Sequence, residues 1–296
     1  MVYKKKSDFT WVRSIYGKGA DAKAQYEHIP DHGMNAVVKA WQEKQVDHPR
    51  DVASPSTILM CPRVIWLLNK GVEPTNEMTW AVKQRLLLGR LFENQFAEIL
   101  ADEGMLLKHW KDDPGMEVEK FKMGDGDTRN QGVPDYILKM PYQGQEIVAV
   151  SDAKTSRSDS FGYVPLDDTE IFTDWGWYKY RIQLTNYWLL CHKNKAWFEA
   201  NNIPLPTHCH LFSYALDDGI VRRDVVWQPT KTDVQTVLDM TERFNRAVVS
   251  KTMPFCTCSQ SFDNFDVKFC KFGEVAQGSK IAETCCSESL ESLIKE

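Results

Sequence analysis

The chain has 296 residues, 43% of them hydrophobic and 26% charged, with a formal net charge of -5. That is apolar enough for one elaborated α/β domain or a domain with terminal additions, and the charge argues against a protein that coats nucleic acid by bulk electrostatics, while leaving room for a local basic groove. No run of about 18 apolar residues marks a membrane span and the start, MVYKKKSDFTWVR, lacks the apolar core of a signal peptide, so a cytoplasmic protein with no membrane partner is expected.

Residues 1–53 read as a polar extension, with a short helix expected around Met34 to Glu43. Ser54-Pro55-Ser56-Thr57 reads as the start of a helix carrying Ile58, Leu59, Cys61, Val64, Ile65, Leu67 and Leu68 and ending before Gly71. A longer helix, about Met78 to Ala101, sets Leu86, Leu87, Leu91, Phe92, Phe96 and Leu100 at helical spacing, with Gly89 and Glu93 one turn apart on one side. A strand near Val118 to Met123 then leads into a Gly/Asp-rich loop, Gly124 to Gln131.

The runs Asp135 to Met140 and Glu146 to Asp152 read as two strands about Gln143-Gly144. A two-residue turn there pairs Tyr142 with Gln145 and leaves Pro141 where its missing N–H does little harm. The same register sets Asp135 directly opposite Asp152, with Lys154 on their face. Two facing carboxylates repel each other and call for a cation; their open coordination sphere suits Mg²⁺ or Mn²⁺. The plainer alternative is a turn aspartate beside an exposed strand-end ion pair.

A connection of about 18 residues follows, long enough for a lid or channel wall. The helix expected from about Trp175 to His192 carries Gln183 and Tyr187 at i and i+4, on one face, where both can donate hydrogen bonds to a phosphate. Trp175, Trp177, Tyr178 and Trp188 offer stacking surfaces for bases, although aromatic residues on such a helix are more often core. Strands at His208 to Ala215 and Ile220 to Trp227, joined by Asp217-Asp218-Gly219, precede a helix from Thr232 to Val249 and a cysteine-bearing segment, Pro254 to Phe272. Cys191 and Cys209 read as core, and His208 and His210 share a strand face without an evident partner.

Taken in order, SPSTILMCPR, GRLFE, GVPDYIL, VSDAKT and QLTNYWLL resemble the PD-(D/E)xK nuclease superfamily, and more closely its RecB-like branch, which includes the iron–sulfur exonucleases of CRISPR adaptation. The resemblance runs from about Ser54 to Leu190 and, through the cysteines, to about Cys270. It implies a restriction-endonuclease-like α/β core, with a central mixed β-sheet flanked by helices and with N- and C-terminal helical additions. The nuclease domain would occupy residues 54–272, and residues 273–296 a tail. Glu93, Asp135, Asp152 and the backbone carbonyl of Ala153 would be the metal ligands, Lys154 the catalytic cation, and Gln183 and Tyr187 the substrate contacts. Many exonuclease members carry histidine where Glu93 stands.

The activity implied is metal-dependent DNA exonuclease, on single strands or DNA ends, in recombination, repair, replication or spacer processing, with recombination or replication proteins as partners. A structure-specific endonuclease and a non-catalytic DNA-binding or assembly subunit are the rival readings. Eight cysteines without a secretory signal read as metal ligands or reduced thiols. In the related exonucleases one cysteine before the core and three after it hold a [4Fe–4S] cluster, and Cys61, Cys256, Cys258 and Cys270 follow that arrangement. Cys256-Thr257-Cys258 is tighter than Cys-x-x-Cys, so zinc and unligated thiols stay open, as does substitution by Cys285 or Cys286.

Overall fold

The computed structural model describes residues 51–72, 80–110, 120–156, 172, 175–215 and 220–254. The helix expected around Met34, the 157–171 connection, the 217–219 turn, Cys256, Cys258, Cys270 and the 273–296 tail lie outside these residues. The chain divides into one unit of residues 1–48 and 78–87 and another of residues 49–77 and 88–296, and the contacts described below belong to the second.

In chain order the elements are α1 (Pro62–Asn69), α2 (Trp80–Asp102), β1 (Leu106–His109), β2 (Phe121–Met123), a 3₁₀ turn (Gly126–Thr128), β3 (Asn130–Gly132), β4 (Tyr136–Tyr142), β5 (Gln145–Ser156), α3 (Trp175–Lys193), α4 (Lys195–Ala200), β6 (His208–Ala215), β7 (Ile220–Trp227) and α5 (Lys231–Val249). Five strands form a mixed sheet in the order β1-β4-β5-β6-β7. Only the β5–β6 pairing is parallel, and parallel neighbours need a crossover, which α3 and α4 supply. The molecule is thus α/β, with a central mixed sheet flanked by helices.

The β4–β5 hairpin has the register read from its residues, with Tyr142 opposite Gln145 and Pro141 opposite Glu146. Gln143 and Gly144 both take positive φ, 50° and 75°. That pattern is the type I′ turn whose twist matches the strands it joins.

The first helix departs from expectation. Residues 55–60 form turns, and α1 begins only at Pro62, with Cys61 as its N-cap. A proline lacks the N–H that an interior position needs but fits the first turn, so the Cys61-Pro62 step sets the start. β2 pairs with β3 as a separate two-stranded ribbon, and β3 takes up the end of the stretch expected as loop. β1 and α4, too short to stand out as periodic patterns, were not anticipated from sequence.

Alternation along the strands divides the core. Ile137, Val150, Leu211 and Val225 face Ile182, Leu184 and Val237 of α3 and α5, while Tyr136, Leu138, Ala153 and Phe212 face Ala97 and Phe96 of α2 on the reverse side. Cys191 and Cys209 are buried, as expected. A bidentate ion pair from Arg181 Nε and Nη2 to Asp233, both at 2.9 Å, ties α3 to the first turn of α5. Asp233 also accepts from the Thr230 backbone N–H at 2.8 Å in a capping box, so one carboxylate fixes two helices.

Candidate functional site

β4 begins at Tyr136 opposite Ser151; Asp135 immediately precedes that pair, Asp152 follows it on β5, and the two carboxyls lie close enough for Asp152 to act on Asp135. Asp152 is 1% exposed, and its Oδ2 lies 2.5 Å from Lys154 Nζ, an ion pair without hydrogen-bond angles. Lys154 is 24% exposed and also lies 5.6 Å from the ring centroid of Tyr180 on α3. Asp135 Oδ2 and both oxygens of Asp152 are buried and make no hydrogen bond among the described residues.

Burial and the neighbouring Asp152 charge push the Asp135 carboxyl well above the usual carboxylate range, against the pull of Lys154. A proton on Asp135 would let it donate to Asp152, which two ionised carboxylates cannot do, and this raises it further. Glu93 adds a smaller push in the same direction. Lys154 is held above its usual value: burial alone would lower it, but Asp152 and then Asp135 more than offset that.

The motifs of the sequence converge on this point. Tyr136 Oη donates to the backbone carbonyl of Glu93 at 2.6 Å, so the α2 turn bearing Glu93 is fastened to the start of β4. Gly89 lies one turn earlier against β5, where a Cβ would sit 3.3 Å from Thr155 Oγ1. Gly132 is packed more tightly still: a Cβ there would lie 2.7 Å from Pro55 Cδ and 3.4 Å from Tyr187 Cε1. Burial pushes the Tyr187 phenol up, and the Asp135 and Asp152 charges raise it further, against a lowering hydrogen bond from Gln183. Asn130 Nδ2 donates to Asn186 Oδ1 at 2.7 Å, joining β3 to the middle of α3.

The structure therefore gathers Asp135, Asp152, Lys154, Gln183 and Tyr187 around one end of the hairpin. Glu93 reaches Asp135 electrostatically, but among the described residues no three His, Cys, Asp or Glu side chains close around a single point as a metal site. The Ala153 side chain packs on the reverse face with Leu138 and Phe212. Trp177, Tyr178 and Trp188 pack against the main core, in line with the more common role of such aromatic residues. Cys61 is buried at the start of α1.

Two histidine readings need correction. His210 has partners on both ring nitrogens, Ser151 Oγ at 2.9 Å and Asp224 Oδ1 at 2.7 Å, and His208 Nδ1 lies 2.8 Å from Thr207 Oγ1. Those partners come from neighbouring strands or the adjacent residue, and only the sheet order reveals the first two. Tyr136 and Tyr180 were also missed, since an aromatic residue in a strand or helix reads as core until its polar contacts are known.

The three carboxylate oxygens without hydrogen bonds, beside one lysine, are a donor set that suits a hard divalent cation. Among the described residues no helix is long and apolar enough to cross a membrane. No protein-family model matches the chain, and a search of curated proteins finds no match. Solved structures similar to it include one titled "Crystal structure of SSO0001", which is 14% identical, with a TM-score of 0.44 over 84% of this chain and 98% of that one.

Proposed function

We propose that the protein is a metal-dependent DNA nuclease with a restriction-endonuclease-like core, acting as an exonuclease on single strands or DNA ends. The observation that carries this reading is the buried pair Asp135 and Asp152, three of whose four carboxylate oxygens make no hydrogen bond among the described residues and are faced by one cation, Lys154, at Asp152 Oδ2. Burying such oxygens is costly unless a cation or proton satisfies them. Asp135 and Asp152 would hold Mg²⁺ or Mn²⁺, with Glu93 and the Ala153 carbonyl completing the ligand set. A divalent ion bound there would supply a nucleophilic hydroxide near neutral pH and charge neutralisation on the phosphoryl oxygens.

The chain's own groups have separate tasks. Lys154, fixed by Asp152 and kept protonated, offers a positive charge to the developing phosphorane. Gln183 and Tyr187 present donors from α3 to the phosphate of the substrate strand. Tyr136 holds the Glu93 turn in place through its carbonyl.

A cysteine-held [4Fe–4S] cluster is the second part of the proposal. It is supported by two contacts: Arg63 Nε donates to the Pro254 carbonyl at 3.0 Å, and Trp66 Nε1 to the Ser250 carbonyl at 2.9 Å. The chain thus passes the first turns of α1, directly after Cys61, two residues before it reaches Cys256.

The testing experiment incubates 5′- and 3′-end-labelled single- and double-stranded DNA with Mg²⁺ or Mn²⁺, comparing wild type with Asp152→Ala. Cation-dependent shortening from an end by wild type alone is expected. No product on any substrate, or equal product from Asp152→Ala, refutes the nuclease reading.

A further inference from the structure

Behind the carboxylate pair, on the face of the sheet that α2 covers, runs a hydrogen-bonded chain that the proposed hydrolysis does not use. Ser151 Oγ lies 2.9 Å from His210 Nδ1, and His210 Nε2 lies 2.7 Å from Asp224 Oδ1. The three side chains belong to β5, β6 and β7 and cross the sheet transverse to its strands. The hydrogen bond from His210 holds the Asp224 carboxyl below the usual range. A carboxylate only accepts, so Nε2 carries the hydrogen; in the neutral ring Nδ1 is then an acceptor, and the Ser151 hydroxyl donates to it.

Serine, histidine and aspartate in one hydrogen-bonded chain have the composition of a nucleophilic triad. Ser151 is completely buried and His210 is 5% exposed, so no substrate reaches Oγ. Burial points instead to a role in geometry. Tyr136, Ser151 and His210 stand in one cross-strand row, and the adjoining position along the hairpin carries Asp135 and Asp152 on the opposite face. That row is fastened at one side by Tyr136 to the Glu93 carbonyl and at the other by His210 to Asp224. Ser151 and His210 are the buried members of the chain and Asp224, more than half exposed, closes it at the surface; buried polar groups that are satisfied stiffen the backbone that bears them.

We propose that His210 is a positioning residue for the carboxylate pair: by accepting from Ser151 and donating to Asp224 it fixes β5 at the peptide joining Ser151 to Asp152, and so holds the Asp152 carboxylate opposite Asp135. The consequence for a bound cation rests on the nuclease reading; the effect on β5 does not.

The test uses the full chain with Ser151→Ala, His210→Phe and Asp224→Asn. His210→Phe keeps a ring beside Phe212, whose centroid lies 5.5 Å from that of His210, and removes both hydrogen bonds. Asp224→Asn keeps an oxygen that accepts from Nε2–H. In the first arm, amide hydrogen exchange is followed in the cation-free protein. Ser151→Ala and His210→Phe are expected to speed exchange at Ser151 to Ala153 about tenfold relative to Ile147 to Ala149, with Asp224→Asn within about threefold of wild type.

In the second arm, Mn²⁺ is titrated calorimetrically, and His210→Phe is expected to bind at least about tenfold more weakly than wild type, with Asp224→Asn close to wild type. Unchanged local exchange in both Ser151→Ala and His210→Phe overturns the proposal, as does uniform acceleration along β5 in all three variants, which marks mere loss of stability. Local acceleration with undiminished Mn²⁺ affinity in His210→Phe also overturns it. Local acceleration in a protein whose wild type binds no Mn²⁺ supports the positioning of β5 and counts against the nuclease reading alone.

Discussion

Lys154 Nζ lies 2.5 Å from Asp152 Oδ2, two residues apart on the same face of one strand, and this pair keeps a positive charge at the centre of the carboxylate site. Replacing Lys154 by Met leaves Asp135 and Asp152 facing each other without it. Turnover is expected to vanish while DNA binding persists, and stability to fall by about 2–3 kcal/mol, at the low end for a broken buried pair because Lys154 is partly exposed. Because Lys154 is raised in the folded protein, its contribution is complete below about pH 10 and is lost only as the pH rises through the folded value. With Asp135→Asn in both proteins to remove the neighbouring titration, urea unfolding at several pH values between about 6 and 9 should therefore show a constant penalty for Lys154→Met.

Asp135 has the opposite sign. Its folded value is raised by burial and by Asp152, so the folded chain binds the proton more tightly than the unfolded chain does. Its ionisation then costs stability progressively as the pH rises from about 4 through the folded value. In the presence of a chelator, Asp135→Asn should be more stable than wild type at neutral pH and lose that advantage near pH 4, as read by chemical denaturation. A constant difference at both pH values would contradict the assignment.

Gly132 touches two parts of the site at once. Gly132→Ala places a methyl 2.7 Å from Pro55 Cδ, and overpacking of this kind costs about 1–3 kcal/mol. Combining it with Pro55→Ala removes the atom in the way, so unfolding measurements on the double-mutant cycle should recover most of the loss. Additive effects would show that the two residues do not meet.

Tyr136→Phe removes the 2.6 Å hydrogen bond to the Glu93 carbonyl. A cost of about 1 kcal/mol in unfolding free energy is expected, together with slower DNA cleavage at saturating Mn²⁺ because the turn bearing Glu93 is released. Wild-type cleavage by this variant would remove Glu93 from the ligand set.

Anaerobically purified protein should be coloured and contain iron and acid-labile sulfide, with both lost in Cys61→Ser. Colourless wild-type protein without iron would eliminate the cluster, and zinc in its place would select the alternative metal.

Much of the hairpin was legible because its signals are local. Strand alternation, a two-residue turn and the spacing from Asp135 to Asp152 fix a register without reference to the rest of the chain. The strands His208–Ala215 and Ile220–Trp227 have their expected bounds and the helix ending at Val249 begins one residue earlier than expected, each being a strongly patterned segment. What escaped depends on pairing across the sheet. Ser151 reads as an ordinary strand serine until β6 is placed beside β5, and Asp224, which is an exposed strand residue, shows its tie to His210 only once β7 is placed beside β6. The start of α1 was misread for a different reason: Pro55 and Pro62 are both compatible with a helix start, and the apolar residues between them fit turns as well as a helix.

That Asp135 and Asp152 together hold a divalent cation is tested most directly by calorimetric titration of Mn²⁺ into the wild-type chain in two buffers of different ionisation enthalpy. Saturable binding is expected, with net proton release, because a bound cation displaces the proton from the Asp135 carboxyl that burial and Asp152 push up. Absence of saturable binding, or binding that survives combined Asp135→Asn and Asp152→Asn substitution, would contradict it.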